Sequence, residues 1–235
     1  LIVVHGQPED YDAWAAQGSQ GWGWKDVLPY FRKSRMGVSS IPEKHELIEA
    51  IIAAGNELGV PRTEEFNEGR QEGVGYYRLF TKNGWRSSSA TAYLREAERR
   101  PNLEVRTGAH VEKILFDGKR AVGVQVRGER IYGSETILSA GALQSPQLLQ
   151  LSGIGPAKFL SSMGIPVVAD LPGVGENLQD HLQLRVMYKC TKPITTNDDL
   201  ASLWGKIRIG AKWVFAKKGP LAIGINQGGL FTRVL

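Results

Sequence analysis

The sequence predicts a mixed α/β (α+β) fold, and three observations carry that prediction. Apolar residues recur at helical spacing through most of the first hundred residues. From about Leu103 the period changes to strand-like alternation. A strand–glycine turn–helix unit then runs from Glu135 to Gly155. The chain has 235 residues, 42% hydrophobic and 23% charged, an ordinary globular composition with room for one large or two small domains.

Taken in order, the elements are these. The apolar run Leu1 to Val4 reads as a strand and lacks the charged start and small-residue cleavage site of a signal peptide. Pro8 to Gln17 has helical spacing, with Gly18 placed to stop it. A second helix is expected from about Lys25 to Arg32, with Pro29 near its first turn. The clearest helix runs from Pro42 to Leu58, with Leu47, Ile51, Ala54 and Leu58 on one face and Gly59 just past its end. A short strand is expected near Val74 to Thr81, then a helix capped by Ser87 and Ser88 that continues to about Glu98. Leu103–Val105, Val111–Phe116, Ala121–Val126 and Arg130–Ser139 read as strands of an antiparallel meander, with turns at Asp117-Gly118 and Arg127-Gly128. Leu182 to Cys190 alternates as strictly and reads as a further strand. The last apolar run, Gly229 to Leu235, stops without a cap, so both ends read as truncations.

Composition removes several function classes. The net charge of +5 comes from scattered Lys and Arg, and the tightest cluster, Lys212 with Lys217-Lys218, is too thin for a nucleic-acid footprint. No stretch approaches the roughly 20 apolar residues of a membrane span, so none is expected. The single cysteine, Cys190, excludes an internal disulfide framework and suits a reducing, cytoplasmic compartment; it reads as a core-facing strand residue. His5, His45 and His110 are isolated, and no His, Cys, Asp and Glu set has metal spacing, so no metal is expected. His181 beside Asp180 reads as a buried structural histidine, Trp14, Trp22 and Trp24 as local packing, and Gly173-Val-Gly-Glu176 as a turn.

The stretch from Gly141 to Gly155 carries the chemistry. A strand ends at Ser139, Gly141 turns the chain, and Ser145-Pro146 supplies an N-cap and first-turn proline for a helix closed by Ser152-Gly153. Glycine and alanine after a strand let a flat or anionic group approach the backbone, and a helix start adds free N–H groups. As a bare strand–turn–helix, such a unit more often simply packs.

The wording is more specific. A small residue, Ser145-Pro146, two aliphatics, then Ser152-Gly-Ile-Gly155 resembles the second sequence pattern of the glucose–methanol–choline (GMC) oxidoreductases. Five further pieces match in family order: Gly6 to Trp14, Trp22 to Phe31, Phe66-Asn67 with Glu72 to Tyr77, Arg86 to Leu94, and Leu171 to His181. The resemblance covers almost the whole chain and implies an internal fragment of a choline- or alcohol-dehydrogenase-like member. It implies part of an FAD-binding domain of glutathione-reductase type, with part of a substrate domain built on an antiparallel sheet. By this resemblance the Val111 backbone faces the adenine of FAD, and Ser139, Ala140, Gly141 and Ala142 line the adenosine side. Residues 1–34 would be a helical segment beside the FAD domain. Residues 35–85 and 179–235 would belong to the substrate domain, and 86–178 to the FAD domain with its meander.

Three departures qualify the expected activity. Gly21-Trp-Gly23, Gly73-Val-Gly75, Gly153-Ile-Gly155 and Gly173-Val-Gly175 each begin a Gly-x-Gly-x-x-Gly fingerprint and lack its third glycine. The resemblance puts the fingerprint before residue 1 and the catalytic His, with its partner, beyond Leu235, so no catalytic residue is assigned in this chain. The stretch from Arg35 to Pro42 is shorter than in the family, through a deletion or through residues left out. The implied reaction is hydride transfer from a primary alcohol to flavin, on a small-molecule alcohol, with oxygen, a quinone or a dye as electron acceptor. The chain alone is expected to be inactive. A non-redox FAD lyase of the same family, or a truncated remnant that binds nothing, are the alternatives.

Overall fold

A computed structural model describes residues 2–224 and 226–233. Leu1, expected in the first strand, and Val234 and Leu235, expected in the last apolar run, lie outside the described residues. The chain divides into two units, one of residues 1–103 with 188–235 and one of residues 104–187.

The first unit begins with β1 (Ile2–Val3), α1 (Pro8–Ala16), α2 (Trp24–Lys33) and α3 (Glu46–Glu57). There follow β2 (Gly73–Tyr76), β3 (Arg78–Leu79), β4 (Thr81–Lys82), β5 (Trp85–Arg86), a turn of π-helix over Ala90–Leu94 and α4 (Arg95–Ala97). The second unit holds β6 (Val111–Asp117), β7 (Arg120–Val126), β8 (Glu129–Tyr132), α5 (Gly141–Leu151), β9 (Ile154–Gly155), α6 (Ala157–Ser162) and β10 (Ala169–Asp170). The chain then adds to the first unit α7 (Thr196–Leu200), α8 (Leu203–Ala216) and β11 (Gly228–Phe231). The mixed fold is the expected one. Its sheets are small and antiparallel, except for the parallel pair β9–β10.

In the first unit, α1 and α2 close around an aromatic cluster. Tyr11 contacts Trp14 edge-on at 5.1 Å and Phe31 at 5.8 Å, and His5 stacks on Phe31 at 4.4 Å. Trp14 and Trp22 stay about half exposed, so the expected local packing holds only in part. Asn67 ties this cluster to β1: its amide accepts from His5 N–H at 2.8 Å and donates to the Val3 carbonyl at 3.1 Å. β2 pairs with β11 in the register Val74↔Leu230, and Phe66, Tyr77 and Phe231 pack beside it with ring centroids 5.1 to 6.3 Å apart. Val3, Ile52, Phe66, Val74 and Leu79 form the buried centre.

Several local expectations are corrected. Pro29 lies inside α2, where its missing N–H forgoes one helix bond. The third helix starts at Glu46, because Pro42 sits in a turn and His45 caps the helix by accepting from Leu47 N–H through Nδ1. Ser88, not Ser87, caps the helical turn, exchanging hydrogen bonds with Thr91; Ser87 is buried and accepts from Gly37 N–H at 2.8 Å. Leu103–Val105 forms no strand. Residues 182–190 carry no regular secondary structure and no ladder partner among the described residues, and Leu182, Leu184, Met187 and Tyr188 are exposed. Strict alternation promises two distinct faces, and burial of one of them needs a partner sheet. Cys190 is consequently half-buried rather than a core strand residue.

The second unit is simpler. β6, β7 and β8 are consecutive antiparallel strands turned at Asp117-Gly118 and at Arg127-Gly128, where Arg127 has φ 49° and Gly128 φ 80°. α5 lies against β6 and is fastened by Ser152, whose hydroxyl accepts from the buried Ile114 N–H at 2.8 Å and donates to the Leu148 carbonyl. Leu171 to Gly175 makes the expected turn, held to α5 by Gln150, which donates to the Val174 carbonyl at 2.9 Å. No helix among the described residues is long and apolar enough to cross a membrane.

Candidate functional site

The sequence-selected residues Val111, Ser139 and Ala140 converge on one cavity of about 380 Å³ within the second unit. The start of β6 forms one wall, the 136–140 segment a second, and one face of α5 a third. Gly141 and Ala142 do not line it. Gly141 has φ 85°, and nothing lies within 4 Å of where its Cβ would be. Its glycine is therefore required by the backbone turn, with open space beside it.

Each wall has a local cause. The β6–β7 ladder shifts register between Val111 and Lys113, an irregularity that re-aims the strand at the cavity mouth. Before Val111, the 104–110 segment is tied down: Arg127 donates to the Gly108 carbonyl at 2.8 Å, and Arg106 bridges Glu104 and Glu129. The Arg106 hydrogen bond and charge hold the Glu104 carboxyl below its ordinary range.

Residues 135–139, expected as a buried strand, form no strand among the described residues, and Ile137 is 82% exposed. The helix also begins earlier than expected. Gly141 is its first residue, so Pro146 lies inside it and Ser145 is not its N-cap; the Ser145 hydroxyl instead accepts from Ala140 N–H at 3.1 Å. That bond ties the Ala140 backbone to the start of the helix.

The lining is apolar with a few polar groups, His110 among them. Val111, Ile114, Val124, Leu148 and Leu151 supply the apolar surface, and the Gln144 and Gln147 amides with the Ser139 and Thr136 hydroxyls supply donors and acceptors. No carboxylate, lysine or arginine lines it. Such a set suits a flat, uncharged heteroaromatic ring with polar edges, and the volume sits near the lower end of the roughly 300–1,000 Å³ of small-molecule sites. Gln144, Gln147 and His110 were not among the residues selected from sequence. The signal for the helical pair was present: Gln144, Gln147, Leu148 and Leu151 follow 3.6-residue spacing and share one helix face.

The structure does not give His181 the expected buried place. It is exposed rather than buried, and its backbone N–H donates to Asp180 at 2.7 Å. Lying in the unpaired 182–190 run's approach, it has no packed neighbours to bury it.

Comparison with known proteins decides the family. The sequence profile of the family described as GMC oxidoreductase matches residues 1–183. The chain belongs to the GMC oxidoreductase family. Among its relatives in that family, an oxygen-dependent choline dehydrogenase of Pseudomonas putida (strain GB-1) is 44% identical over 258 residues, covering 99% of this chain and 46% of that protein. The same-named protein of Escherichia coli O127:H6 is 40% identical over 99% of this chain and 46% of its own length. A solved structure of an FAD-dependent oxidoreductase from Chaetomium thermophilum matches with a TM-score of 0.91 at 30% identity, over 97% of this chain and 46% of that one. The chain thus spans about half the length of the curated relatives it matches. The span aligned with the Pseudomonas putida protein, 258 residues, exceeds the 235 of this chain, so that relative carries residues this GMC chain lacks.

Proposed function

We propose that this chain supplies the adenosine side of an FAD site in an oxidoreductase that takes a hydride from a primary alcohol. The observation that carries the reading is the convergence of Val111 with Ser139 and Ala140, far apart in sequence, on one cavity that no carboxylate, lysine or arginine lines. The cavity walls fit adenine by chemistry: apolar side chains for its faces, and hydroxyl and amide groups for its edge nitrogens. Gly141 leaves the backbone open to the attached ribose, and Ala142 keeps the first helical turn small. Relatives named choline dehydrogenase, at 40% and 44% identity, support a small-molecule alcohol as substrate, and the FAD-dependent structural neighbour supports the cofactor.

FAD, when bound, supplies the hydride acceptor. This chain's own part is to hold the adenosine end, through Val111, Ser139 and Ala140, and to exclude water from the ring faces with Leu148 and Leu151. No residue here is assigned to accept the alcohol proton. Residues 86–178 belong on this reading to the FAD domain, and residues 35–85 and 179–235 to the substrate domain. The single cysteine supports a cytoplasmic setting.

The test is titration of the purified protein with FAD, followed by flavin fluorescence, with adenosine monophosphate and riboflavin as competitors. Adenosine monophosphate should compete and riboflavin should not. Ala140→Leu, which intrudes on the cavity from an exposed position, should weaken FAD at least about tenfold, a loss of about 1.4 kcal/mol. FAD binding that riboflavin displaces, or that Ala140→Leu leaves unchanged, would overturn the assignment.

A further inference from the structure

A second cavity, of about 750 Å³, lies wholly within the first unit and is lined by Arg35, Lys82, Arg86 and Arg95. Four cations facing one concavity repel one another and focus a positive potential into it. Their charge is hardly compensated. Glu96 pairs with Arg35 at 3.1 Å, but Lys82, Arg86 and Arg95 form no ion pair among the described residues. Elsewhere in the same unit Arg62, Arg70, Arg78, Arg208 and Lys212 all meet carboxylates within 4.0 Å. Three cations without a carboxylate partner among the described residues thus share one concavity with Arg35.

The walls are also braced. Lys82 and Arg86 lie on the two arms of the β4–β5 hairpin, whose Asn83-Gly84 turn has positive φ at both residues, 53° and 72°. Trp213 holds that turn, donating from Nε1 to the Gly84 carbonyl at 3.1 Å and meeting Trp85 edge-on at 4.7 Å. Lys217 sits over both rings, 4.2 Å from the Trp213 centroid and 5.3 Å from that of Trp85. Among the lining residues, buried Ser87 uses its oxygen to accept from Gly37 N–H, which leaves its hydroxyl proton to donate. The hairpin backbone that carries Lys82 and Arg86 is thus braced before any ligand arrives.

We propose that this cavity binds a multiply charged anion of the phosphate or diphosphate class. Guanidinium forks match phosphate oxygens two at a time, and three of them with one ammonium outweigh the single carboxylate present. The diphosphate of a dinucleotide cofactor is one source of that chemistry and a free phosphorylated small molecule is another. The assignment stands on these residues and does not depend on the adenosine reading above.

The experiment is isothermal titration of the purified protein with sodium diphosphate at low and moderate salt. Saturable binding of one anion per chain is expected. The double substitution Arg86→Gln with Arg95→Gln should weaken it at least about tenfold, through loss of charge-assisted hydrogen bonds. Arg86→Lys with Arg95→Lys, which keeps the charge and loses the forks, should restore part of the affinity. Lys113→Gln with Arg120→Gln removes equal charge from exposed positions of the β6–β7 hairpin and should change affinity by less than about twofold. All four cavity cations are exposed, and circular dichroism checks that the variants stay folded. Displacement of diphosphate by FAD supports the site with the cofactor as source; retention beside bound flavin supports it with a free anion. Diphosphate binding without any FAD binding sinks the adenosine reading and leaves this one standing. Absence of binding, or binding equal in the glutamine and control variants, overturns it.

Discussion

The two units are built from partners at very different sequence distances. In the 104–187 unit, β6, β7 and β8 follow one another through short turns, and α5 packs back on β6. In the other unit, β1 pairs with β3, β2 with β11, and Trp213 reaches the turn at Gly84. Local pairing needs little loop closure, whereas pairing across most of a chain has to be supported by side-chain fit at the point of contact. The contrast can be broken directly because all six tryptophans, Trp14, Trp22, Trp24, Trp85, Trp204 and Trp213, lie in the long-range unit. Tryptophan emission reports that unit alone, and circular dichroism reports both.

The largest effect is expected at Gly75. It faces Gly229 in the β2–β11 ladder, and a Cβ added to it would stand 2.1 Å from the Thr63 carbonyl oxygen. That oxygen is backbone, fixed by the Thr63 N–H to Val74 carbonyl bond, so the clash cannot be relieved by a side-chain rotation. Gly75→Ala should cost about 3 kcal/mol and lower the urea midpoint seen by tryptophan emission. Next is Ser152→Ala in the other unit. It strips the buried Ile114 N–H of its acceptor and should cost about 2 kcal/mol. Here the hydrogen-exchange protection of Ile114 should fall while the tryptophan midpoint stays in place. A tryptophan midpoint that moves equally in both variants would mean the units unfold together, and the comparison would lose its energetic content.

The same contrast explains what could be read from the sequence. The meander was legible because each strand's partner is its neighbour and each turn carries its own Gly signal at Gly118 and Gly128. Helices α1 and α2 were legible from periodicity, and α5 from its glycine and leucines. Burial was not. Residues 135–139 and 182–190 have strand-like wording, yet neither forms a strand, because a strand also needs a partner to pair with and wording does not supply one. The helices α6, α7 and α8 went unassigned, although Thr195 and Ser202 were available as N-caps. In the candidate site, Val111, Ser139 and Ala140 came from family resemblance, and their meeting in one cavity is a tertiary fact. The cationic cavity was invisible because Arg35, just past α2, meets Lys82 and Arg86 of the β4–β5 hairpin and Arg95 of α4 only in the fold, and the four leave no run in the chain.

The smallest effect sharpens the comparison by asking whether the aromatic cluster contributes its own pH dependence. His5 is half-buried against Phe31, and desolvation lowers its pKa below the ordinary 6.5 although Glu65 pulls it the other way. Glu65 is itself engaged by Arg78 at 3.0 Å, which weakens its hold on His5. The folded state then binds a proton on this ring less readily than the unfolded chain does. The resulting stability is present above the ordinary imidazole value and is lost as pH falls through the folded value. His5→Phe keeps the stack without the titration. Relative to that variant, the native protein should lose tryptophan-detected stability as pH falls below about 6.5, and the hydrogen-exchange protection of Ile114 in the 104–187 unit should not follow. A difference that instead grows toward high pH would place a charged imidazole in the folded cluster and make Glu65, not burial, the dominant influence on His5.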